Sequence, residues 1–263
     1  MDTQQLKSFK ILVIGDSCTD VYNYGVCERL SPEAPVPVLK IMYTEEKPGM
    51  SLNVENNLKA LGHHTILLTN PEKIIKERFV DQRSMQHLLR VDKGEGDKDL
   101  INSIDLRLLK TVKNMNFNFD CVVISDYNKG FLTYESCTDL VNLLSTLGKP
   151  IFVDSKKKDL TCYKGCIIKI NEKEFKSIEE VDDTSEMIVT LGSAGAKWKG
   201  KLFPTEPENV FDVCGAGDTF LSALVTAYMS TNNMEQSINF ANKCARISVK
   251  RFGNYVVSLK DLE

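Results

Sequence analysis

Membrane spans, clustered metal ligands and the common phosphate loops are all missing from this sequence. No run approaches the ~20 apolar residues that a membrane helix requires, and the N-terminal MDTQQLKSFK has no apolar core of the kind a secretory signal carries. A cytoplasmic chain with no membrane partner is therefore the expectation. Cysteines stand at 18, 27, 121, 137, 162, 166, 214 and 244, with no CxxC and no neighbouring histidine, so free thiols are expected rather than a zinc site or a disulfide framework. No Walker A loop and no GxGxxG turn is present. An excess of one charge is lacking as well: 33 Lys and Arg against 36 Asp and Glu leave a net charge of −3, with no broad basic field for nucleic acid. A small-molecule partner is the reading that survives. His63 and His64 follow Gly62 at an expected helix end and read as a polar turn.

What is present is an alternation of apolar, β-rich runs with helical patterns. Strands are expected at KILVIG (10–15), HTILLT (64–69), CVVIS (121–125), PIFVD (150–154), CIIKI (166–170) and MIVTL (187–191). Their continuous apolar character suits strands buried on both faces, hence an α/β fold with a mostly parallel central sheet. Helices are expected over 52–61, 133–147, 216–229 and 234–250. In the third, Phe220, Leu221, Leu224 and Tyr228 are spaced for one buried side. Two stretches break the rhythm, 21–43 and 74–91; they read as extended segments forming a small β lid. With 263 residues and 42% hydrophobic content, one domain over 1–263 is expected.

The segment VFDVCGAGDTFLSAL (210–224) carries the chemistry. Small residues let the backbone approach an anion, and the N–H groups of Gly215, Ala216 and Gly217 at a helix N-terminus lack intrahelical acceptors, where the helix dipole adds about half a positive charge. Asp218 lies one residue further in, close enough to accept a proton from a hydroxyl attacking a phosphoryl group held there. For a bare GxGD, a tight turn with a favourable first-turn acid is the better explanation; the length of the segment turns the balance to the chemical reading.

This segment resembles the C-terminal signature of the ribokinase-like (PfkB) carbohydrate kinases. Other fragments match that family in order along the chain: ILVIGDSCTD with Gly15 and Asp20, PGMSLN with Gly49 and Asn53, NEKE from Asn171 to Glu174, and TLGSAGA from Thr190 to Ala196. RLSPEAPVPVLK (29–40), ISDYNKG (124–130), VDSKKKDLTCYKG (153–165) and RFGNYVVSL (251–259) are similar to the branch that phosphorylates the anomeric hydroxyl of heptose 7-phosphate.

The resemblance implies a ribokinase-like three-layer fold using ATP and Mg²⁺, with a monovalent cation as a further candidate. It implies Asp218 as base, Gly215, Ala216 and Gly217 as anion hole, and Asp20, Gly49 and Asn53 on the sugar. Asp126, Lys129 and Asp154, at strand ends, are added as substrate ligands. Lys156, Asn171, Glu174, Thr190, Gly192, Gly195 and Asn242 are assigned to the nucleotide, with Glu174 organising magnesium through water. Lys76, Arg78, Arg83 and Arg90 on the lid are candidates for a remote substrate phosphate, and lid-to-lid pairing implies a homodimer.

Several departures matter. Met50 replaces the second glycine of the family loop, Leu52 fills a normally small position, and Cys214 stands where threonine is usual. Only PEK separates HTILLTN from the lid segment, where the family usually has a further helix and strand, and the stretch from Glu174 to Met187 is short. The fold is thus expected in trimmed form. Three readings stay open: a heptose 7-phosphate kinase, a kinase of an unphosphorylated sugar or nucleoside, and a nucleotide-binding protein without turnover.

Overall fold

The computed structural model describes residues 6–71, 73–94, 110–112, 114, 118–206, 208, 210–251 and 253–262. Eight strands form the main sheet in the order β12-β11-β10-β9-β8-β7-β1-β4. They are β1 (Lys10–Gly15), β4 (His64–Thr69), β7 (Cys121–Asp126), β8 (Ile151–Ser155), β9 (Ile167–Asn171), β10 (Glu186–Thr190), β11 (Ala196–Trp198) and β12 (Lys201–Phe203). All pair in parallel except β11 and β12, which fold back antiparallel at one edge.

Alternate strand residues feed two separate cores, which is why the strands read as unbroken apolar runs. Ile11, Val13, Cys121, Val123 and Phe152 pack against α1 (Ser51–Ala60), α4 (Ala216–Thr231) and α5 (Met234–Ser248). Leu12, Ile14, Val122, Ile124 and Val153 pack on the other face against α2 (Tyr134–Ser145), through Leu140, Val141 and Leu144. A short helix, α3 (Glu172–Phe175), follows β9 directly. Among the described residues no helix is long and apolar enough to cross a membrane, and all eight cysteines are free.

The lid is a second, four-stranded sheet in the order β3-β2-β5-β6, made of β2 (Ser17–Leu30), β3 (Pro37–Met50), β5 (Ile74–Asp81) and β6 (Gln86–Lys93). It exceeds the expected 21–43 at both ends, because β2 and β3 stay paired from Leu30↔Pro37 down to Ser17↔Met50 at the main sheet. The Pro-rich segment is the connection of this hairpin, closed by Ser31 N–H donating to Val36 O. At the other end β3 runs without a loop into α1, through Met50 at φ 58, ψ −130. That is backbone territory of glycine, which a side chain occupies at a cost of about 1–3 kcal/mol. Met50 keeps the shape of a glycine turn while burying its side chain against Cys18 and Ile74.

Two further expectations need correction. Helix α4 is buried on every side from Asp218 to Ala227, not on one stripe, since it lies centrally between α1, α5 and the sheet. His63 is no solvated turn residue. It is 4% exposed, its Nδ1 accepts from Phe9 N–H at 3.2 Å, and its Nε2 lies 2.8 Å from Thr226 Oγ1. Thr226 donates onward to Ser222 O, so the ring is a neutral link in a buried chain.

Candidate active site

The site grows from one row of the main sheet. Register places Gly15, Ser125 and Asp154 side by side on β1, β7 and β8, and Asp154 faces Lys169 of β9. Helix α4 starts above this row. Gly215 caps it in a left-handed conformation (φ 73), which a residue without Cβ adopts freely. A Cβ at Gly215 would lie 2.9 Å from Asn53 Nδ2, and one at Gly217 would lie 2.9 Å from Lys169 Nζ. The backbone of the helix start is therefore pressed against an amide on one side and a buried ammonium on the other. The Ala216 N–H bonds Val213 O at 3.3 Å, so the expected three-donor hole is partly used. The N–H groups of Gly217 and Asp218 have no backbone acceptor among the described residues.

Asp218 is 5% exposed and holds one donor on each oxygen: Asn53 Nδ2 at 2.8 Å on Oδ2 and Tyr127 OH at 2.9 Å on Oδ1. Burial lifts its carboxyl above the usual carboxylate range; the Asn53 bond opposes this, the Asp154 charge adds to it, and Lys169 and Tyr127 oppose it. Asp154 is also buried, yet Lys169 (2.6 Å) and Lys156 (3.0 Å) outweigh desolvation and hold it below the usual value. Lys156 reaches on to Glu174 Oε1 at 2.5 Å. Burial disfavours the Lys156 charge, but Asp154 and Glu174 more than compensate and raise its pKa.

A cavity of about 570 Å³ opens from this centre. Its walls bring together the expected Asp154, Lys156, Asn171, Thr190, Gly192, Gly195, Asn242, Gly215, Ala216, Gly217 and Asp218. Apolar residues, among them Val210, Val213 and Val249, line it as well, as suits a flat heterocycle next to polyanion-binding groups. Asn171 caps α3 in a reciprocal box with Glu174, whose Oε2 accepts the Asn171 N–H at 2.8 Å. Glu174 thus stands behind Lys156 rather than in the cavity wall.

On the lid side, Asp20 is 5% exposed and bonded to Arg78 Nη1 (2.5 Å) and Asn254 Nδ2 (3.1 Å). Gly49 pairs with Cys18 across β2–β3, diagonally from Asp20, and a Cβ there would come within 2.3 Å of Asp20 Oδ2. Arg83 and Arg90 are engaged by Glu28 and Asp92, while Lys76 Nζ lies 5.5 Å from the Tyr127 ring centroid. Lys129 is half-buried in the turn after β7, its N–H donating to Asp16 at 3.3 Å.

Asp126 departs from its expected role. It is fully buried on the opposite face of the sheet, where Ser155 Oγ, Lys157 Nζ, Tyr163 OH and Asn128 N–H all donate to it. Conversely, Tyr127, Lys169 and Asn254 were not singled out from the sequence, although each lies in or beside a quoted motif: ISDYNKG, NEKE and RFGNYVVSL.

Residues 99–261 match the pfkB family carbohydrate kinase model. The chain belongs to this family. It is 32% identical to the bifunctional protein HldE of Sulfurimonas denitrificans over 98% of its own length and 65% of the relative's, and 32% identical to HldE of Helicobacter pylori over 96% and 65%. The chain therefore spans about two thirds of the length of these relatives. In fold it is similar to phosphofructokinase-2 from Escherichia coli in complex with potassium (TM-score 0.74, 15% identity, 96% of each chain). It is also similar to a carbohydrate kinase from Agrobacterium tumefaciens (TM-score 0.73, 19% identity, 96% and 95%). The chain is a sugar kinase of ribokinase-like fold.

Proposed function

We propose that the chain transfers the γ-phosphoryl group of ATP to a hydroxyl, the anomeric one, of heptose 7-phosphate or a similar phosphorylated sugar. The observation that carries the reading is the buried Asp218 carboxylate at a helix start where Gly217, whose N–H has no backbone acceptor among the described residues, lies against the Lys169 ammonium. Asp218 takes the proton of the sugar hydroxyl. The hydroxyl oxygen then bonds to the γ-phosphorus as the bond from phosphorus to the β,γ-bridging oxygen breaks, and ADP leaves with that electron pair. Lys169 and the α4 N-terminus meet the charge on the migrating group. Asn53 and Asp20 orient the sugar, and Lys76 and Lys129 are the cations assigned to its remote phosphate.

Among the described residues no group of three or more His, Cys, Asp or Glu side chains forms a metal cage. The Glu174 carboxylate beside Lys156, in one turn with the Asn171 side chain, fits magnesium arriving with the nucleotide, which keeps several waters and takes one or two carboxylates. Glu174 and Asn171 are the residues assigned to those waters, and the ion would neutralise phosphate charge. Two copies are proposed to pair through the lid, where Leu30, Ile41, Met42 and Leu89 are exposed; a monomer in sedimentation velocity would remove that pairing. A cytoplasmic location, where ATP is supplied, completes the reading.

Asp218→Asn tests the mechanism. It retains size and an oxygen for the Tyr127 donor, while its amide nitrogen replaces the oxygen that Asn53 Nδ2 donates to, at a cost of about 1–3 kcal/mol in stability; ATP binding should stay near wild type while turnover per folded molecule falls by about 100-fold or more. Retention of more than about a tenth of the activity, far above what loss of a general base allows, excludes Asp218 as base.

A further inference from the structure

We propose that Tyr127 is the positioning residue of the base, orienting the Asp218 carboxylate and coupling it to the cations of both substrate sites; the proposal rests on Asp218 acting as proposed above. Tyr127 is the first residue after β7, and its turn is pinned from below by two buried carboxylates. Asp16 accepts the N–H groups of Lys129 (3.3 Å) and Phe131 (3.2 Å), and Asp126 accepts that of Asn128 (2.9 Å). The ring rests on Cys18, Met50 and Ile74 at the root of the lid. From this seat the hydroxyl reaches Asp218 Oδ1 at 2.9 Å, while Asn53 holds Oδ2 at 2.8 Å. A carboxylate with a fixed donor on each oxygen cannot rotate without breaking one of them.

The ring has a second relation. Lys76 Nζ, from β5 of the lid, lies 5.5 Å from its centroid, and Lys156 Nζ, from the nucleotide cavity, lies 5.3 Å from it. Both distances are within the range in which a cation is attracted to an aromatic face. Tyr127 therefore touches a sugar-side cation, a nucleotide-side cation and the base at once, and a ligand that draws either lysine acts on the ring that holds the base. Burial, with the Asp218 and Asp154 charges, keeps the phenol protonated far above neutral pH, so it serves as donor throughout. A hydrogen bond donated to an ionised carboxylate favours that ionised form. It opposes the burial that would otherwise leave the base protonated.

Tyr127→Phe deletes the hydroxyl and keeps the ring between its two lysines. The acid limb of kcat/KM, measured with ATP, Mg²⁺ and heptose 7-phosphate, should move up by about one pH unit, the size of one hydrogen bond to a charged group. The Asp218 carboxyl, followed by its ¹³C resonance in the protein alone, should titrate higher by a similar amount. Tyr127→Leu, which removes the ring as well, should raise KM for both substrates, whereas the Phe variant leaves them within about threefold of wild type, as expected if the ring rather than the hydroxyl carries that coupling. A merely structural tyrosine would lower stability without moving either titration. Coincident pH profiles and ¹³C titrations for wild type and Tyr127→Phe overturn the proposal. Asp218→Asn in the same series separates the two failures: if it stays active the base assignment falls, and if it is inactive while the Phe variant titrates as wild type only the role of Tyr127 is lost.

Discussion

Two buried aspartate–lysine pairs sit almost back to back at the carboxyl ends of the central strands. Asp154 pairs with Lys169 and Asp126 with Lys157, each at 2.6 Å, and all four side chains are nearly inaccessible. Their surroundings differ. Around Asp126, Ser155, Tyr163 and Asn128 also donate, and Lys157 spends a further hydrogen on Leu132 O at 2.7 Å, so the cluster is closed on itself. Around Asp154 the partners among the described residues are lysines alone, both reach the cavity, and Lys169 Nζ faces Gly217 at the start of α4. Burial and charge alone therefore do not mark a site. Unspent donors facing a cavity do, because a phosphoryl group can use them.

Lysine-to-methionine substitutions on each side should split this comparison cleanly. In Lys169→Met, Asp154 retains Lys156 as a partner, so the fold should persist while turnover falls by about 100-fold to 1000-fold, the usual loss on removing one transition-state donor. In Lys157→Met, Asp126 keeps neutral donors but no counter-charge, and stability should fall by roughly 3–5 kcal/mol with turnover per folded molecule little changed. Urea denaturation alongside initial rates reads both. The assignment of the two faces is wrong if Lys157→Met loses turnover and Lys169→Met loses only stability.

The same contrast explains what was legible in the residues alone. Six main-sheet strands and four helices lie within a few residues of the runs read from the chain, since apolar β-branched segments and amphipathic helices are local patterns. GAGD at the start of α4 was legible because small residues before an acid at a helix start have few other uses. Asp126 is the last residue of β7 and Asp154 the last but one of β8, and nothing local says which face an aspartate near a strand end takes. Only pairing does so: Ser125 lies beside Asp154 while Asp126 lies beside Ser155, one residue and therefore one face apart. Lys169 was hidden in CIIKI, where a lysine in a buried strand looks out of place until Asp154 is set beside it. Asn254 needs the C-terminal segment folded back over 234 residues onto Asp20. His63 was misread because a buried neutral ring and a solvated one look alike in sequence.

His63 is a further buried titratable group, remote from both pairs, with a smaller effect. Burial, with a minor contribution from His64, pushes its pKa down to about 4 from 6.5. Between these values the unfolded chain takes up a proton that the folded chain refuses. Its stabilising contribution is thus complete above pH 6.5 and is lost as the pH falls toward 4, by roughly 3 kcal/mol in all. His63→Gln should be less stable at pH 7 but should lose less further stability than wild type on acidification to pH 5, as linkage to one proton requires. Parallel stability-versus-pH curves for the two proteins would show that His63 is not a source of the acid sensitivity. Turnover at neutral pH should be unaffected, since His63 touches neither pair.

The smallest effect concerns the outer end of the open pair, where Lys156 joins Asp154 to Glu174. Glu174 has two possible uses: to hold Lys156 and the α3 cap, or to organise the waters of magnesium as proposed. Glu174→Gln distinguishes them because glutamine still accepts the Asn171 N–H, keeping the capping box and leaving stability within about 1 kcal/mol. If the charge serves magnesium, the midpoint of the magnesium titration of turnover should rise by about fivefold, the effect of about 1 kcal/mol of lost attraction, and kcat at saturating magnesium should recover. If the charge serves only Lys156, the freed ammonium should change ATP affinity by the same factor at every magnesium concentration. We expect the first pattern. Lys156 already has Asp154 at 3.0 Å, so losing Glu174 leaves the lysine paired, whereas the hydrated cation would lose the carboxylate assigned to it. An unmoved magnesium midpoint removes Glu174 from the metal and leaves it as the outer brace of the Asp154 pair.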